Sequence, residues 1–312
     1  MAEAQTTVTT TKNNAATSSA AANRGKELIS GSFGGLALVL VGHPLDTVKV
    51  RLQTAAAVPG STAPQFLGPM DCVRQTVKNE GWKGFYKGVG SPLVGISMIN
   101  AVLFFSWAES QNLVRSYEGE VLSYGKLTAA GALTGFVISF FEGPVELVKS
   151  KMQVQYSSGA SRQYSSSLDC FRQIVRHHGV RGIFQGLWPT LLRDIPANVG
   201  YFVGYEFIRR KLSGDEKKTH LSPLATMTAG GLAGILYWAS CFPFDVIKSR
   251  MQIEPSDPSQ RRFKSTWQCA VDIQRTQGFR GFWKGFSVAA VRSFPANAAC
   301  FTVYEVVRAY LG

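Results

Sequence analysis

Three stretches of this chain, Pro44 to Gln53, Pro144 to Gln153 and Pro243 to Gln252, carry the same order of residue types. In each, a proline is followed two positions on by an acid (Asp46, Glu146, Asp245) and five on by a lysine (Lys49, Lys149, Lys248). A glutamine closes each stretch (Gln53, Gln153, Gln252). The copies lie about 100 residues apart, too far for a solenoid, so each marks a unit of domain-fragment size. Acid and lysine three apart share a helix face, and a local ion pair would account for one copy. Three copies, each at the end of a long Gly-rich apolar segment, ask for a common role.

Charge is nearly absent from Ile29 to Gly42, Leu93 to Trp107, Leu127 to Phe141, Ala225 to Phe242 and Ala289 to Val303, and dense between them. These windows predict transmembrane helices. Leu191 to Phe207 is similar but carries Arg193, Asp194 and Glu206, and charge inside a membrane segment points to function. The net charge of +13 gathers at segment ends and in connections, which suits anionic lipid head groups better than nucleic acid. Cys72, Cys170, Cys241, Cys269 and Cys300 are scattered and read as free thiols, and no metal site is expected. No Gly-x-Ser-x-Gly, phosphate-cradling loop or acid/His/Ser constellation appears, so neither an enzyme nor a cofactor is expected.

Residues 1–24, rich in Ala, Thr and Ser, predict a disordered tail without a cleavable leader. Three repeats follow, over 25–118, 119–215 and 216–312. Each has an apolar helix ending in the signature, a short amphipathic stretch, a Gly/aromatic run (Gly81 to Gly88, Gly179 to Gly186, Gly278 to Gly285) and a second apolar helix. Glycines four apart (Gly31 and Gly35, Gly131 and Gly135, Gly230 and Gly234) predict close helix approach in lipid. The expected fold is an all-α membrane protein of six transmembrane helices, in three pseudosymmetric two-helix repeats around a central cavity. Charged pairs on three helices are costly if left alone in a low dielectric. If the helices converge, Asp46 meets Lys149, Glu146 meets Lys248 and Asp245 meets Lys49, plugging one end of the cavity with bonds that can be undone.

From about Gly25 to Leu311 the chain resembles the mitochondrial carrier family. The resemblance implies alternating access in the inner mitochondrial membrane, with both termini on the intermembrane-space side and the ring above as the matrix gate. It implies that Gln53, Gln153 and Gln252 brace that ring, and that the Gly/aromatic runs bind cardiolipin, with Gln185 weakening the middle site. It also implies a monomer. On the second helices the family pattern of aromatic, acid and base forms a cytosolic gate. Tyr205-Glu206 with Arg209 and Tyr304-Glu305 with Arg308 match it, whereas the first repeat has Trp107, Ala108 and Gln111. Only Glu206 with Arg308 then remains a full ion pair, with Glu305 facing Gln111, which predicts a weak cytosolic gate and a resting bias toward the cytosol-open state.

Gating positions should repeat, whereas an asymmetric solute needs positions that differ. Aligning Asn100, Asn198 and Asn297 puts Gly95, Arg193 and Arg292 at one depth, with Asp194 beside Arg193. Two guanidiniums and one carboxylate suit a small zwitterionic or cationic solute, its carboxylate on Arg193 and Arg292 and its cation on Asp194, with Trp238 as an aromatic face. Arg193-Asp194 resembles the family branch that carries carnitine derivatives and amino acids, and Asn100 falls on the family's first contact point. The expected function is carnitine/acylcarnitine exchange, with a basic amino-acid carrier as the alternative. No acid beyond Asp194 is evident for a second substrate cation, which favours carnitine.

Overall fold

The computed structural model describes residues 2–55, 66–117, 120–155, 163–213 and 223–311. The helices are α1 (Ala2–Thr54), α2 (Pro69–Glu80), α3 (Gly90–Val114), α4 (Tyr124–Gln153), α5 (Ser167–Ile183), α6 (Leu187–Ser213), α7 (Pro223–Ile253), α8 (Thr266–Gln277) and α9 (Phe286–Leu311). Among the described residues there is no strand. Each repeat is long helix, short helix, tight turn, long helix. Helix α1 runs through the stretch expected to be disordered. Its alanines, such as Ala15, Ala16 and Ala20, are strong helix formers, and helix propensity does not require the apolar content whose absence suggested disorder.

By length and composition, Ile29–Thr54, Trp82–Val114, Tyr124–Gln153 and Thr228–Ile253 are able to cross a membrane. Helices α6 and α9, of 27 and 26 residues, are long enough but interrupted by charge at Arg193, Asp194 and Arg292. The chain divides into two compact units, Met1–Gly42 with Ser293–Gly312, and His43–Arg292. In the first, a Cβ at Gly34 would stand 2.9 Å from the Cys300 carbonyl oxygen, so close approach uses Gly34, whereas Gly31 faces open space.

In the second unit, α4 meets α6 through Gly131 and Gly135, where a Cβ would come within 3.1 Å of Val199 Cα and 2.6 Å of the Asp194 carbonyl oxygen. The α6–α7 contact takes its glycines from α6 instead. Added Cβ atoms at Gly200 and Gly204 would stand 2.6 Å from Ser240 Oγ and 2.5 Å from Leu236 Cδ1. Gly230 and Gly234 face open space. One partner's small residues suffice for two backbones to approach.

The foot of each first helix packs on its own short helix in three equivalent cores. Val48, Leu52, Phe66 and Cys72 cluster in repeat 1, Val148, Met152, Tyr164 and Cys170 in repeat 2, and Ile247, Phe263, Cys269 and Ile273 in repeat 3. The five cysteines are free. Burial pushes the Cys72 thiol up to about 11 and those of Cys170 and Cys269 up to about 12, so the three are packing groups. The turn after each short helix repeats as well. Gly81, Gly179 and Gly278 have φ of 68°, 64° and 65°, and Gly88, Gly186 and Gly285 have 83°, 79° and 90°, conformations that glycine adopts without strain.

Candidate functional site

At the foot of α1, α4 and α7 the signature acids and lysines form a closed circuit within the unit His43–Arg292. Lys149 Nζ lies 2.6 Å from Asp46 Oδ2, Lys49 Nζ lies 2.7 Å from Asp245 Oδ2, and Lys248 pairs with Glu146. Each lysine reaches the acid of the preceding repeat in the cycle, so the pairs join helices and are not local.

A second circuit runs the other way. Arg51 Nε donates to the Gln153 carbonyl at 3.1 Å, Lys151 Nζ to the Glu254 carbonyl at 2.7 Å, and Arg250 Nε to the Gln53 carbonyl at 3.0 Å. Here each base caps the last carbonyls of the next repeat's helix, where the dipole favours a cation. These three residues are a second basic position two after each signature lysine. Their repetition was visible in the sequence, but the targets that all three share are carbonyls, which no sequence pattern marks.

The glutamines do not all brace ion pairs. Gln53 Nε2 donates to Asp245 Oδ2 at 2.8 Å. Gln153 Nε2 instead donates to Thr47 Oγ1 at 3.1 Å, and Gln252 Oε1 accepts from Ser150 Oγ at 3.1 Å. The hydroxyls beside Asp46 and Lys149 take the amide that was expected to reach the ions.

Arg193 and Arg292, expected to await a solute, are joined to the circuit. Arg292 Nε lies 3.0 Å from Asp46 Oδ1. Arg193 is 4% exposed and stands among four carboxylates. It pairs with Asp194 and donates from Nη1 to Glu142 Oε1 at 3.1 Å. Glu146 and Asp245 lie 3.9 and 3.8 Å from its remaining nitrogens. The Asp194 side chain is 0% exposed, with one oxygen taken by Arg193 and the other by Ser139 Oγ at 2.9 Å. Glu142, by contrast, is 21% exposed. The sequence reading passed over Glu142, and the expectation that Asp194 is the sole acid available to a cation does not hold. A charge in an apolar helix two residues before the signature proline was the signal.

Trp238 does offer an aromatic face to a cation, and that cation is Lys49, with Nζ 4.2 Å from the ring centroid. Asn100 is exposed on α3 and stands apart from these contacts. Gly95 is buried against Val145, whose Cγ2 would lie 3.0 Å from an added Cβ. Among the described residues no cluster of His, Cys, Asp or Glu forms a metal site.

The profile described as "Mitochondrial carrier protein" matches residues 21–118, 120–216 and 219–312. The "Mitochondrial carnitine/acylcarnitine carrier protein" of Homo sapiens is 41% identical over 288 residues, covering 92% of this chain and 94% of the relative. The "Mitochondrial carnitine/acylcarnitine carrier-like protein" of Arabidopsis thaliana is 39% identical over 301 residues, covering 93% and 100%. "Protein dif-1" of Caenorhabditis elegans is 40% identical over 283 residues, covering 90% of each. The chain belongs to the mitochondrial carrier family.

It is therefore a three-repeat solute transporter, a multi-pass protein of the mitochondrial inner membrane. Within that frame, the far ends of the second helices differ from the signature ends. Glu206 is engaged within its own helix, by Arg209 at 2.6 Å and Arg210 at 2.7 Å. In the first repeat of this carrier, where acid and base are replaced by Ala108 and Gln111, the Trp107 ring stacks on Phe202 at 3.6 Å between centroids. In the unit that contains the end of α9, Glu305 is exposed and Arg308 donates to the Tyr304 hydroxyl at 3.1 Å. Gln185 of the carrier's middle Gly/aromatic run donates to the Glu254 carbonyl at 2.9 Å, much as Lys87 donates to the Gln155 carbonyl at 2.6 Å.

Proposed function

We propose that this carrier exchanges carnitine and acylcarnitines across the inner mitochondrial membrane by alternating access. The observation that carries the reading is the circuit of three inter-repeat lysine–acid pairs to which two further arginines, Arg193 and Arg292, are joined. Such a circuit opens only if its charges find new partners, because a buried ion stripped of its partner is strongly disfavoured. A zwitterion supplies both signs at once: its carboxylate takes an arginine and its cation takes an acid. The names of the relatives support carnitine as that zwitterion. In this reading the circuit is the matrix gate, closed here, and both termini face the intermembrane space. Glu206, Arg209, Glu305, Arg308 and Gln111 form the cytosolic gate. Cardiolipin sits at the Gly/aromatic runs, where helix N-termini such as that of α3 attract phosphate. The transporter works as a monomer without a cofactor.

Exchange of basic amino acids is a second reading, favoured by Glu142, a partly exposed acid that can take the cationic side chain of such a solute. Liposomes containing the purified protein, one batch preloaded with carnitine and another with arginine, decide between the two. Labelled carnitine should enter well ahead of labelled arginine. Uptake of arginine with none of carnitine would replace the first reading by the second.

A further inference from the structure

We infer that Glu142 is the residue that receives the cationic nitrogen of the transported solute, a role that Asp194 is too enclosed to fill. The inference rests on the proposed zwitterion exchange. The ring and the groups joined to it comprise five acids, Asp46, Glu142, Glu146, Asp194 and Asp245, and five bases, Lys49, Lys149, Lys248, Arg193 and Arg292. The signature lysines account for Asp46, Glu146 and Asp245, and Arg193 with Asp194 makes a fourth pair. One acid and one base are left over, Glu142 on α4 and Arg292 on α9. Together they offer what a zwitterion lacks on its own, a site for each of its charges.

Exposure selects Glu142 among the acids. Asp194 and Asp245 have side-chain exposures of 0% and 5%, and Asp46 has 14%. Glu146, at 22%, is committed to Lys248. Glu142 is 21% exposed, and among the described residues its polar contact is the 3.1 Å bond from Arg193, which already holds Asp194. A solute cation at Glu142 therefore displaces Arg193 without leaving it unpaired, and the freed guanidinium nitrogen turns to the incoming carboxylate. The corresponding positions in the other repeats are Gly42 and Cys241, so the acid occurs once in three, as recognition of an asymmetric solute requires.

The test compares two solutes in two proteins. Carnitine and its isostere with carbon in place of the quaternary nitrogen compete for uptake of labelled carnitine into liposomes, with wild type and with Glu142→Gln. Wild type should prefer carnitine, and Glu142→Gln should shrink that preference by about 10-fold, the effect of one lost ion-pair contact. Glu142→Asp, which keeps the carboxylate, should retain most of it. If Glu142 only neutralised Arg193, both solutes would weaken by the same factor; an unchanged ratio in Glu142→Gln overturns the inference and leaves carnitine exchange standing. Wild type that takes up arginine but no carnitine, or neither, overturns the proposed function and this role with it. Thermal unfolding of each variant separates loss of the site from loss of fold.

Discussion

From Pro44 to Gln53 and in its two counterparts the repeats are nearly interchangeable, while just before the proline on the same helices, and about two turns into α6 and α9, they are not. The lysine–acid pairs, the bases that cap neighbouring carbonyls and the aliphatic cores all follow one threefold plan. Outside that plan the repeats differ: Glu142 corresponds in sequence to Gly42 and Cys241, and Arg193 to Gly95 and Arg292. The difference separates two physical tasks. Closing a ring requires equal contributions from three helices, whereas holding a molecule with distinct ends requires unequal ones. The two regions nevertheless touch, because Arg193 and Arg292 reach down to the acids of the ring.

The hardest break falls at that junction. Arg193→Gln should abolish uptake, with a fall of about 100-fold or more, and lower stability by about 3–5 kcal/mol, the cost of leaving a buried charge without its partner. Asp194, sealed on every side, and Glu142 would face each other without the guanidinium between them. Thermal unfolding of the purified protein together with liposome uptake checks both effects. A variant that transports little but unfolds as wild type does would assign Arg193 to the solute alone and detach it from the ring.

Exchanging charges within the ring tests the symmetric part. Asp46→Lys and Lys149→Asp should each reduce flux by about 10-fold or more, and together they should recover part of it, since pairs in contact couple by about 0.5–3 kcal/mol. Recovery stays incomplete because Asp46 serves two bases, Lys149 at 2.6 Å and Arg292 at 3.0 Å, so the exchange sets a lysine against Arg292. Adding Arg292→Gln should restore thermal stability further while transport falls. Full recovery from the double exchange alone would show that the Arg292 contact carries no weight.

Much of this arrangement was legible because the chain states it three times. Periodicity gave the repeats, the apolar helices and the partners of Asp46, Glu146 and Asp245, since convergence on an axis fixes which neighbour each lysine meets. Features that occur once were harder. Glu142 was visible as a charge in an apolar helix, but its meeting with Arg193 depends on how α4 and α6 approach through Gly131 and Gly135. The glycines at 230 and 234 resembled those at 131 and 135, yet the close approach of α7 is provided by Gly200 and Gly204 on its neighbour. The enclosure of Asp194 is a matter of packing, which adjacency to Arg193 in the sequence does not reveal.

The smallest expected effect lies inside the symmetric region and asks how far its symmetry extends. Gln53 donates to a carboxylate of the ring, whereas Gln153 and Gln252 bond to hydroxyls beside it. A hydrogen bond to a charged group contributes about 1.5–3 kcal/mol and one between neutral groups about 1 kcal/mol. Gln53→Ala should therefore lower the unfolding temperature more than Gln153→Ala or Gln252→Ala, and should alone weaken the Lys49–Asp245 link that it buttresses. Carnitine uptake with the internal face of the liposome made more alkaline or more acidic should shift most for Gln53→Ala, because among the three variants it alone loosens a lysine–acid pair. Equal shifts from all three substitutions would mean that the glutamines rotate onto the ions during transport, and that the ring is threefold in action although its amides are not threefold at rest.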